Sequence, residues 1–159
     1  MLRDAAQTAG RHPNSAAGYE ALARRHGNES AAHGGTGEGP TPLQAVLGAL
    51  CGCEAVTFRR TATEMGLSYC ALDFEAAFTI DIRGRQGNRS VRAHFQTIRV
   101  RAVVSTAESL EKLAGVIEET EARCPVLNLL LDAKVDLRIE WLRDETGTRE
   151  TVSRLPAST

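Results

Sequence analysis

The hydrophobic pattern is dominated by one mostly apolar segment, residues 43–58, in which Glu54 is the only charged side chain. Thr41 and Pro42 precede it, a hydroxyl suited to an N-cap followed by proline at the first helical position. Gly66 is the kind of residue that commonly follows a helix C-terminus. The pattern therefore predicts a helix from residue 42 to about residue 65. Because the segment is apolar nearly all round, it also predicts that this helix is buried.

Apolar and polar residues then alternate with the period of two that is typical of half-buried strands. Three strands are expected, with a turn over residues 84–88 between the first two. The inward positions change from odd to even numbers between Phe95 and Ile98, so we expect a β-bulge near Gln96 and Thr97. The predicted inward residues are Phe74, Ala76, Phe78, Ile80 and Ile82, then Val91, Ala93, Phe95, Ile98, Val100, Ala102 and Val104, and finally Val135, Leu137, Ile139 and Trp141.

Helical periodicity separates the second strand from the third. Ser105 and Glu108 have the spacing of a capping box, and Pro125 cannot continue the helix that they would begin. A short second helix is expected from Val126 to about Asp132. The order of elements predicts an α+β fold in which helices pack on an antiparallel sheet. The stripe expected on the longer helix is Leu110, Leu113, Ile117 and Cys124, and the core is expected to contain Val46, Leu47, Leu50, Phe74, Phe78, Ile98, Val100, Leu113, Ile117 and Ile139.

Three regions follow from these patterns. Residues 1–40 are expected to form a peripheral N-terminal segment, with a short helix at residues 16–25 and a Gly-rich loop at residues 27–40. Residues 41–143 are expected to form the α+β domain, and residues 144–159 a polar C-terminal tail.

Composition narrows the classes of function. The formal net charge is -1, from 19 basic and 20 acidic residues, and only 4% of the residues are aromatic. This balance favours neither nucleic acid nor an anionic membrane as a partner. The N-terminus lacks the apolar core of a secretory signal, so we expect a cytoplasmic protein whose four cysteines are reduced.

Two of the cysteines have settings that indicate chemistry. Cys124 precedes Pro125 at a predicted helix N-terminus, where free N–H groups favour a thiolate, and Arg123 adds a positive charge. Cys53 lies about three turns inside its helix, where the helix dipole has little effect. A reactive Cys53 would need an arginine from elsewhere in the fold.

The same residues allow simpler interpretations. Cys53 and Cys124 both lie on apolar stripes, and free cysteine is a common core residue. Cys51 is about 200° around the helix from Cys53, so the two cannot face one partner, and we interpret Cys51 and Cys70 as packing or bystander thiols. A single residue between Cys51 and Cys53 is too short for paired zinc ligands, so no metal or other cofactor is expected.

Two motifs resemble the OsmC/Ohr family. Residues 39–53, Gly-Pro-Thr-Pro-Leu-Gln-Ala-Val-Leu-Gly-Ala-Leu-Cys-Gly-Cys, are similar to the family's cysteine-bearing helix, with Pro42 and Cys53 in the characteristic places. Residues 121–131, Glu-Ala-Arg-Cys-Pro-Val-Leu-Asn-Leu-Leu-Leu, are similar to its second cysteine segment. The resemblance extends over about residues 34–142 and includes the hairpin that joins the two motifs.

The resemblance implies both a fold and an activity. It implies an OsmC-like fold, an antiparallel sheet packed around a long buried central helix, in an intertwined homodimer with each active site at the subunit interface. It implies that Cys53 is the peroxidatic thiol and Cys124 the resolving thiol of a peroxidase. The substrate would be an organic hydroperoxide, and an external dithiol would reduce the resulting disulfide.

The chain departs from the family pattern at two points, the glutamate of the helix and the N-terminal strands that usually present an arginine, for which no strand pattern is seen. Family peroxidases hold the peroxidatic cysteine with an N-terminal arginine and with a glutamate just after the first proline of the helix. Leu43 and Gln44 stand where that glutamate would be, and Arg11, Arg24 and Arg25 are the candidate arginines. The alternative function is therefore a non-catalytic OsmC-like binding protein that keeps the fold and an apolar interfacial pocket.

Overall fold

The computed structural model describes residues 34–154, so the expected helix at residues 16–25 and the three candidate arginines lie outside the described residues. The described residues divide into two compact units between Gly52 and Cys53, a point that lies within the first helix. The elements are α1 (Pro42–Glu64), β1 (Ala71–Ile80), α2 (Ile82–Arg85), β2 (Phe95–Ser105), α3 (Leu110–Arg123), α4 (Pro125–Asp132), β3 (Asp136–Glu145) and β4 (Thr148–Arg154).

Both ends of α1 agree with the prediction. The Thr41 Oγ1 accepts a hydrogen bond from the Gln44 backbone N–H at 3.3 Å, and the Gln44 Oε1 accepts one from the Thr41 N–H at 2.8 Å. This reciprocal pair is a capping box that satisfies two otherwise free donors. At the other end Gly66 adopts a φ of 68°, and the Leu67 N–H donates to the Ala62 carbonyl at 2.8 Å. A left-handed glycine of this kind ends the helix.

The prediction that α1 is buried all round is wrong for the single chain. Leu50, Glu54 and Phe58 are fully buried on one face. Between Ala45 and Val56 the opposite face is exposed and carries no charge, whereas Arg59 and Arg60 are exposed on its continuation toward the helix C-terminus. Its exposed residues are Ala45, Gly48, Ala49, Gly52 and Val56.

The α+β class is confirmed, and β1 and β2 form the expected antiparallel pair. Thr79 pairs with Thr97 and Ile80 pairs with Phe95, so Gln96 has no partner in β1. The predicted β-bulge is therefore confirmed. It shifts the inward set by one residue and keeps both Phe95 and Ile98 oriented toward the interior.

The sheet is mixed, and the expectation of a wholly antiparallel sheet is wrong. Its strand order is β1-β2-β3-β4, with β2 and β3 parallel and β3 and β4 antiparallel. The chain leaves one end of β2 and returns through α3 and α4 to the opposite end of the sheet, so β3 runs in the same direction as β2.

The strand β4 lies in the segment that we expected to be a polar tail. Thr146 and Gly147 have φ values of 54° and 89° and join β3 to β4 as a two-residue loop. Loops with positive φ at both positions match the twist of a hairpin. The sequence does not indicate this hairpin, because β4, Thr-Arg-Glu-Thr-Val-Ser-Arg, has too few apolar residues to show a clear inward face.

The core lies against β2 and β3, whose predicted inward faces are largely confirmed. Phe95 is half-buried and the other inward residues of the two strands are buried, whereas every residue of β1 is exposed or half-buried. Phe74 and Phe78 of β1, which we expected in the core, are therefore only half-buried, and Val46 of α1 is half-buried as well. Buried residues of the central strands are Ile98, Val100, Ala102, Val104, Leu137, Ile139 and Trp141.

Some predicted boundaries are wrong. Ile82 belongs to α2 and is exposed, and β2 begins only at Phe95, after Val91 and Ala93. Ser109, not Ser105, caps α3, because the Ser109 Oγ accepts from the Lys112 N–H at 3.2 Å. Leu110, in the first turn of α3, is exposed rather than part of the buried stripe.

Candidate functional site

Two of the four cysteines meet inside the second unit. Cys53 lies in the middle of α1 and is half-buried, whereas Cys124 is fully buried between α3 and α4. The Cys53 side chain lies near enough to Cys124 to raise the pKa of the Cys124 thiol, and both thiols are free. Cys70 is exposed just before β1, and Cys51 is half-buried on another face of α1. The structure therefore brings together the two cysteines that the sequence singled out.

The position of Cys124 is fixed by the corner between α3 and α4. Cys124 is the N-cap of α4, as predicted, and its Sγ accepts from the Leu127 N–H at 3.5 Å. The Asn128 side-chain amide donates to the Cys124 carbonyl at 2.8 Å and to the carbonyls of Glu121 and Ala122 at 3.2 and 3.3 Å. These bonds satisfy carbonyls at the end of α3 and hold the thiol at a defined place.

The expectation that Cys124 is a stabilised thiolate is wrong. Burial raises the pKa of Cys124 well above its usual range, and the neighbouring Glu54 carboxyl raises it further. The Leu127 N–H lowers this pKa but does not outweigh burial, because desolvation of a thiolate costs more than one weak donor returns. Arg123 offers no compensation, since it forms ion pairs with Glu64 and Glu119 at 2.6 Å.

A carboxyl that sequence analysis did not assign to the site completes the cluster. Glu54 follows Cys53 in α1 and has no exposed surface. Burial raises the pKa of Glu54 to about 7, the Cys124 thiol lowers it in part, and the negative charge of Glu121 raises it. The Cys124 contact falls short of a well-formed hydrogen bond, since neither Glu54 oxygen has such a partner among residues 34–154. The sequence does mark Glu54 as unusual, because it is the only charged residue in residues 43–58.

Aromatic side chains enclose the buried side of this cluster. Phe58, one turn beyond Glu54, stacks on Trp141 with ring centroids 5.5 Å apart and an interplanar angle of 21°. The Trp141 Nε1 donates to the Glu121 Oε1 at 2.9 Å. Burial raises the pKa of Glu121, and this indole donor lowers it in part. The packing keeps water away from Glu54 and so explains the neutral-range pKa.

The described part of the chain offers few other kinds of site. Residues 34–154 contain no group of His, Cys, Asp or Glu side chains arranged to hold a metal ion. Within the same residues no helix is long and apolar enough to cross a membrane. The cluster itself supplies two thiols and a carboxyl, which can exchange protons and two electrons.

Comparisons with known proteins point to one family. Residues 35–140 match the profile of the family described as OsmC-like protein. Among curated proteins, none matches the chain significantly.

Solved structures share the fold at low sequence identity. An OsmC-like protein from Mycoplasma pneumoniae is 19% identical, with a TM-score of 0.58 over 68% of this chain and 73% of the other. An organic hydroperoxide resistance protein OsmC from Legionella pneumophila is 15% identical, with a TM-score of 0.55 over 71% and 77%. A putative osmotic stress induced and detoxification response protein from Psychrobacter arcticus is 12% identical, with a TM-score of 0.56 over 74% and 77%.

Proposed function

Because the chain belongs to the OsmC-like protein family, we propose that it is a thiol-dependent peroxidase that reduces organic hydroperoxides. The observation that carries the proposal is the proximity of the reduced Cys53 and Cys124 thiols, which come from distant parts of the sequence. The Legionella pneumophila protein of the same fold is described as an organic hydroperoxide resistance protein, which supports the substrate class. In the cytoplasm thiols are kept reduced, so the pair would be ready to react. Removal of hydroperoxides there would protect against oxidative stress.

The proposed cycle has three balanced steps. The Cys53 thiolate attacks the O–O bond of the hydroperoxide, which gives a Cys53 sulfenic acid and an alkoxide that takes up a proton to leave as the alcohol. The Cys124 thiol then displaces the hydroxyl of the sulfenic acid, which forms the Cys53–Cys124 disulfide and releases water. An external dithiol reduces this disulfide and is itself oxidised.

The exposure of the two thiols supports this order of events. Cys53 keeps part of its surface exposed, whereas Cys124 has no exposed surface. A buried thiol is protected from direct oxidation and waits beside the position where the sulfenic acid forms. Cys53 is therefore the better peroxidatic residue, and Cys124 is the better resolving residue.

We expect a stoichiometric dose of cumene hydroperoxide to consume two of the four thiols in each chain. Both members of the contacting pair end in one disulfide, while Cys51 and Cys70 stay reduced. The measurement is thiol titration of the denatured protein before and after the dose, with a sample given cumyl alcohol as the control. Peptide mapping identifies the oxidised pair.

An unchanged count of four thiols would instead support a non-catalytic binding protein. One observation favours that second candidate, the replacement of the family glutamate by Leu43 or Gln44. Gln44 carries an amide in place of a carboxylate, and this side chain is engaged in capping α1.

The proposal includes a homodimer with active sites at the subunit interface, as the family resemblance implies. The uncharged exposed face of α1 between Ala45 and Val56 supports it, because a helix segment that is apolar all round is normally buried on every side. The half-buried Phe74 and Phe78 of β1 add further apolar surface that the single chain leaves partly open.

We expect sedimentation at micromolar concentration to give twice the chain mass of 17.1 kDa. Gly52→Arg is the informative variant, because it places a long charged side chain on the exposed face of α1 without entering the core. It should shift the equilibrium toward monomer, whereas Arg85→Ala, on the surface-exposed helix α2, should not. A monomeric wild-type chain would contradict the proposal.

A further inference from the structure

The proposed cycle leaves one buried titratable group without a role. Glu54 has no exposed surface, and no residue between 34 and 154 forms a salt bridge or a well-formed hydrogen bond with its carboxyl. A carboxylate in such a place is expensive, because burial removes its hydration and nothing among these residues replaces it. A residue of this kind points to function more than to stability.

The groups that face Glu54 are few and come from two other places in the fold. Cys124, at the corner between α3 and α4, lies near the carboxyl, and each group shifts the pKa of the other. Glu121, in the last turn of α3, faces it as a second acidic group and is itself held by the Trp141 indole. Cys53 precedes Glu54 on α1 and contacts Cys124. The carboxyl therefore lies beside the thiol that must lose a proton in the second step of the proposed cycle.

Resting on the proposed function, we propose that Glu54 is the catalytic proton acceptor for Cys124 when this thiol closes the disulfide with Cys53. The buried Cys124 is a thiol near neutral pH, whereas attack on a sulfenic acid requires a thiolate. A base in contact with the thiol resolves this difficulty. The helix N-terminus alone does not, since burial outweighs the Leu127 N–H.

The step is balanced in atoms and electrons. As the Cys124 sulfur attacks the Cys53 sulfur, its proton passes to the Glu54 carboxylate and the S–O bond of the sulfenic acid breaks. The Glu54 carboxyl then gives this proton to the departing hydroxide, which leaves as water. Cys124 is oxidised, the sulfenic acid is reduced to the disulfide level, and Glu54 returns to its starting state.

The proposal predicts how closure depends on pH. The carboxyl must be ionised to accept the proton, and the pKa of Glu54 lies at about 7 because of burial. General bases are most effective when their pKa is near the working pH. The rate of closure should therefore rise with pH up to about 7 and then level off.

The experiment compares wild type with Glu54→Gln by rapid quenching after one equivalent of cumene hydroperoxide, at pH values from 5.5 to 8. Dimedone traps the Cys53 sulfenic acid, and mass spectrometry measures the disulfide. In Glu54→Gln we expect sulfenic acid to form, disulfide closure to slow by roughly 10²-fold or more, and the inflection near neutral pH to disappear.

Glu54→Asp keeps a carboxyl and should restore part of the rate and the pH dependence. Glu118→Gln, an exposed carboxyl on α3, is the matched control and should close like wild type.

Failure of this inference and failure of the proposed function give different results. Closure in Glu54→Gln at the wild-type rate, with the same pH profile, overturns the role of Glu54 and leaves the peroxidase intact. If wild type forms no sulfenic acid, the peroxidase proposal fails. In that case the role of Glu54 is tested with diamide, which oxidises the same two thiols without a hydroperoxide. Equal rates of disulfide closure in wild type and Glu54→Gln would overturn the proton-acceptor role. Near-ultraviolet circular dichroism shows whether each variant is folded.

Discussion

Cys53→Ser is expected to abolish hydroperoxide consumption altogether. A serine hydroxyl is far less acidic than a thiol and does not attack a peroxide oxygen, so the first step has no nucleophile. Cys124 cannot take over, since it has no exposed surface and its pKa is raised by burial. Hydroperoxide consumption in the presence of an excess of dithiothreitol measures the effect.

Cys124→Ser should behave differently, because it retains the first step. Without added dithiol we expect about one equivalent of hydroperoxide to be consumed rapidly, leaving a Cys53 sulfenic acid that mass spectrometry detects directly or after further oxidation to the sulfinic acid. Cys51→Ser and Cys70→Ser are the matched controls and should remain near wild type. Full turnover by Cys53→Ser would show that the peroxidatic residue has been misassigned.

The second large effect is a dependence of stability on pH that Glu54 imposes. Its pKa is about 7 in the folded chain against an ordinary value of 4.5. Between these values the folded state holds a proton that the unfolded state has lost, so the free energy of unfolding falls as pH rises. The full fall amounts to about 3 kcal/mol once pH exceeds the folded pKa. The Glu54→Gln side chain is neutral at every pH, so the variant should lose this fall and keep only the part that the raised pKa of Glu121 contributes.

Chemical denaturation at pH 5 and at pH 8, at one protein concentration, measures this difference. The variant should gain stability relative to wild type between these two values, and Glu118→Gln should not. The exposed carboxyls with lowered pKa, Asp81, Glu108 and Asp136, lose their favourable interactions only at more acidic pH and do not contribute in this window. A difference that stays constant from pH 5 to pH 8 would mean that Glu54 is ionised throughout and has a charged partner in solution.

Much of the fold could be predicted because its signals are local. The bounds of α1 follow from a capping box and a left-handed glycine, and the bulge at Gln96 follows from the change of inward positions along one strand. Both depend on neighbouring residues. The direction of β3 depends instead on how far α3 and α4 carry the chain, which no local pattern encodes.

The candidate site divides in the same way. The motifs around Cys53 and Cys124 could be recognised in the sequence, and their contact depends on the family fold that these motifs indicate. The acidity of Cys124 could not be predicted, because the helix N-terminus and burial act in opposite directions and only the packed structure decides which is larger. The role of Glu54 depends on the same packing, although its isolation in an apolar helix marked it as unusual.

The rigid corner that Asn128 holds between α3 and α4 has a consequence for competition among thiols. Since Cys124 lies beside Cys53 before any oxidation, the proposed disulfide closure would be a reaction within one folded chain and would need no further loss of translational freedom. Well-oriented groups of this kind react as if their partner were present at up to about 10⁵–10⁸ M. Small thiols in bulk solution are far more dilute. Cys124 should therefore react with the Cys53 sulfenic acid before a small thiol forms a mixed disulfide with it, and the reductant should act on the internal Cys53–Cys124 disulfide.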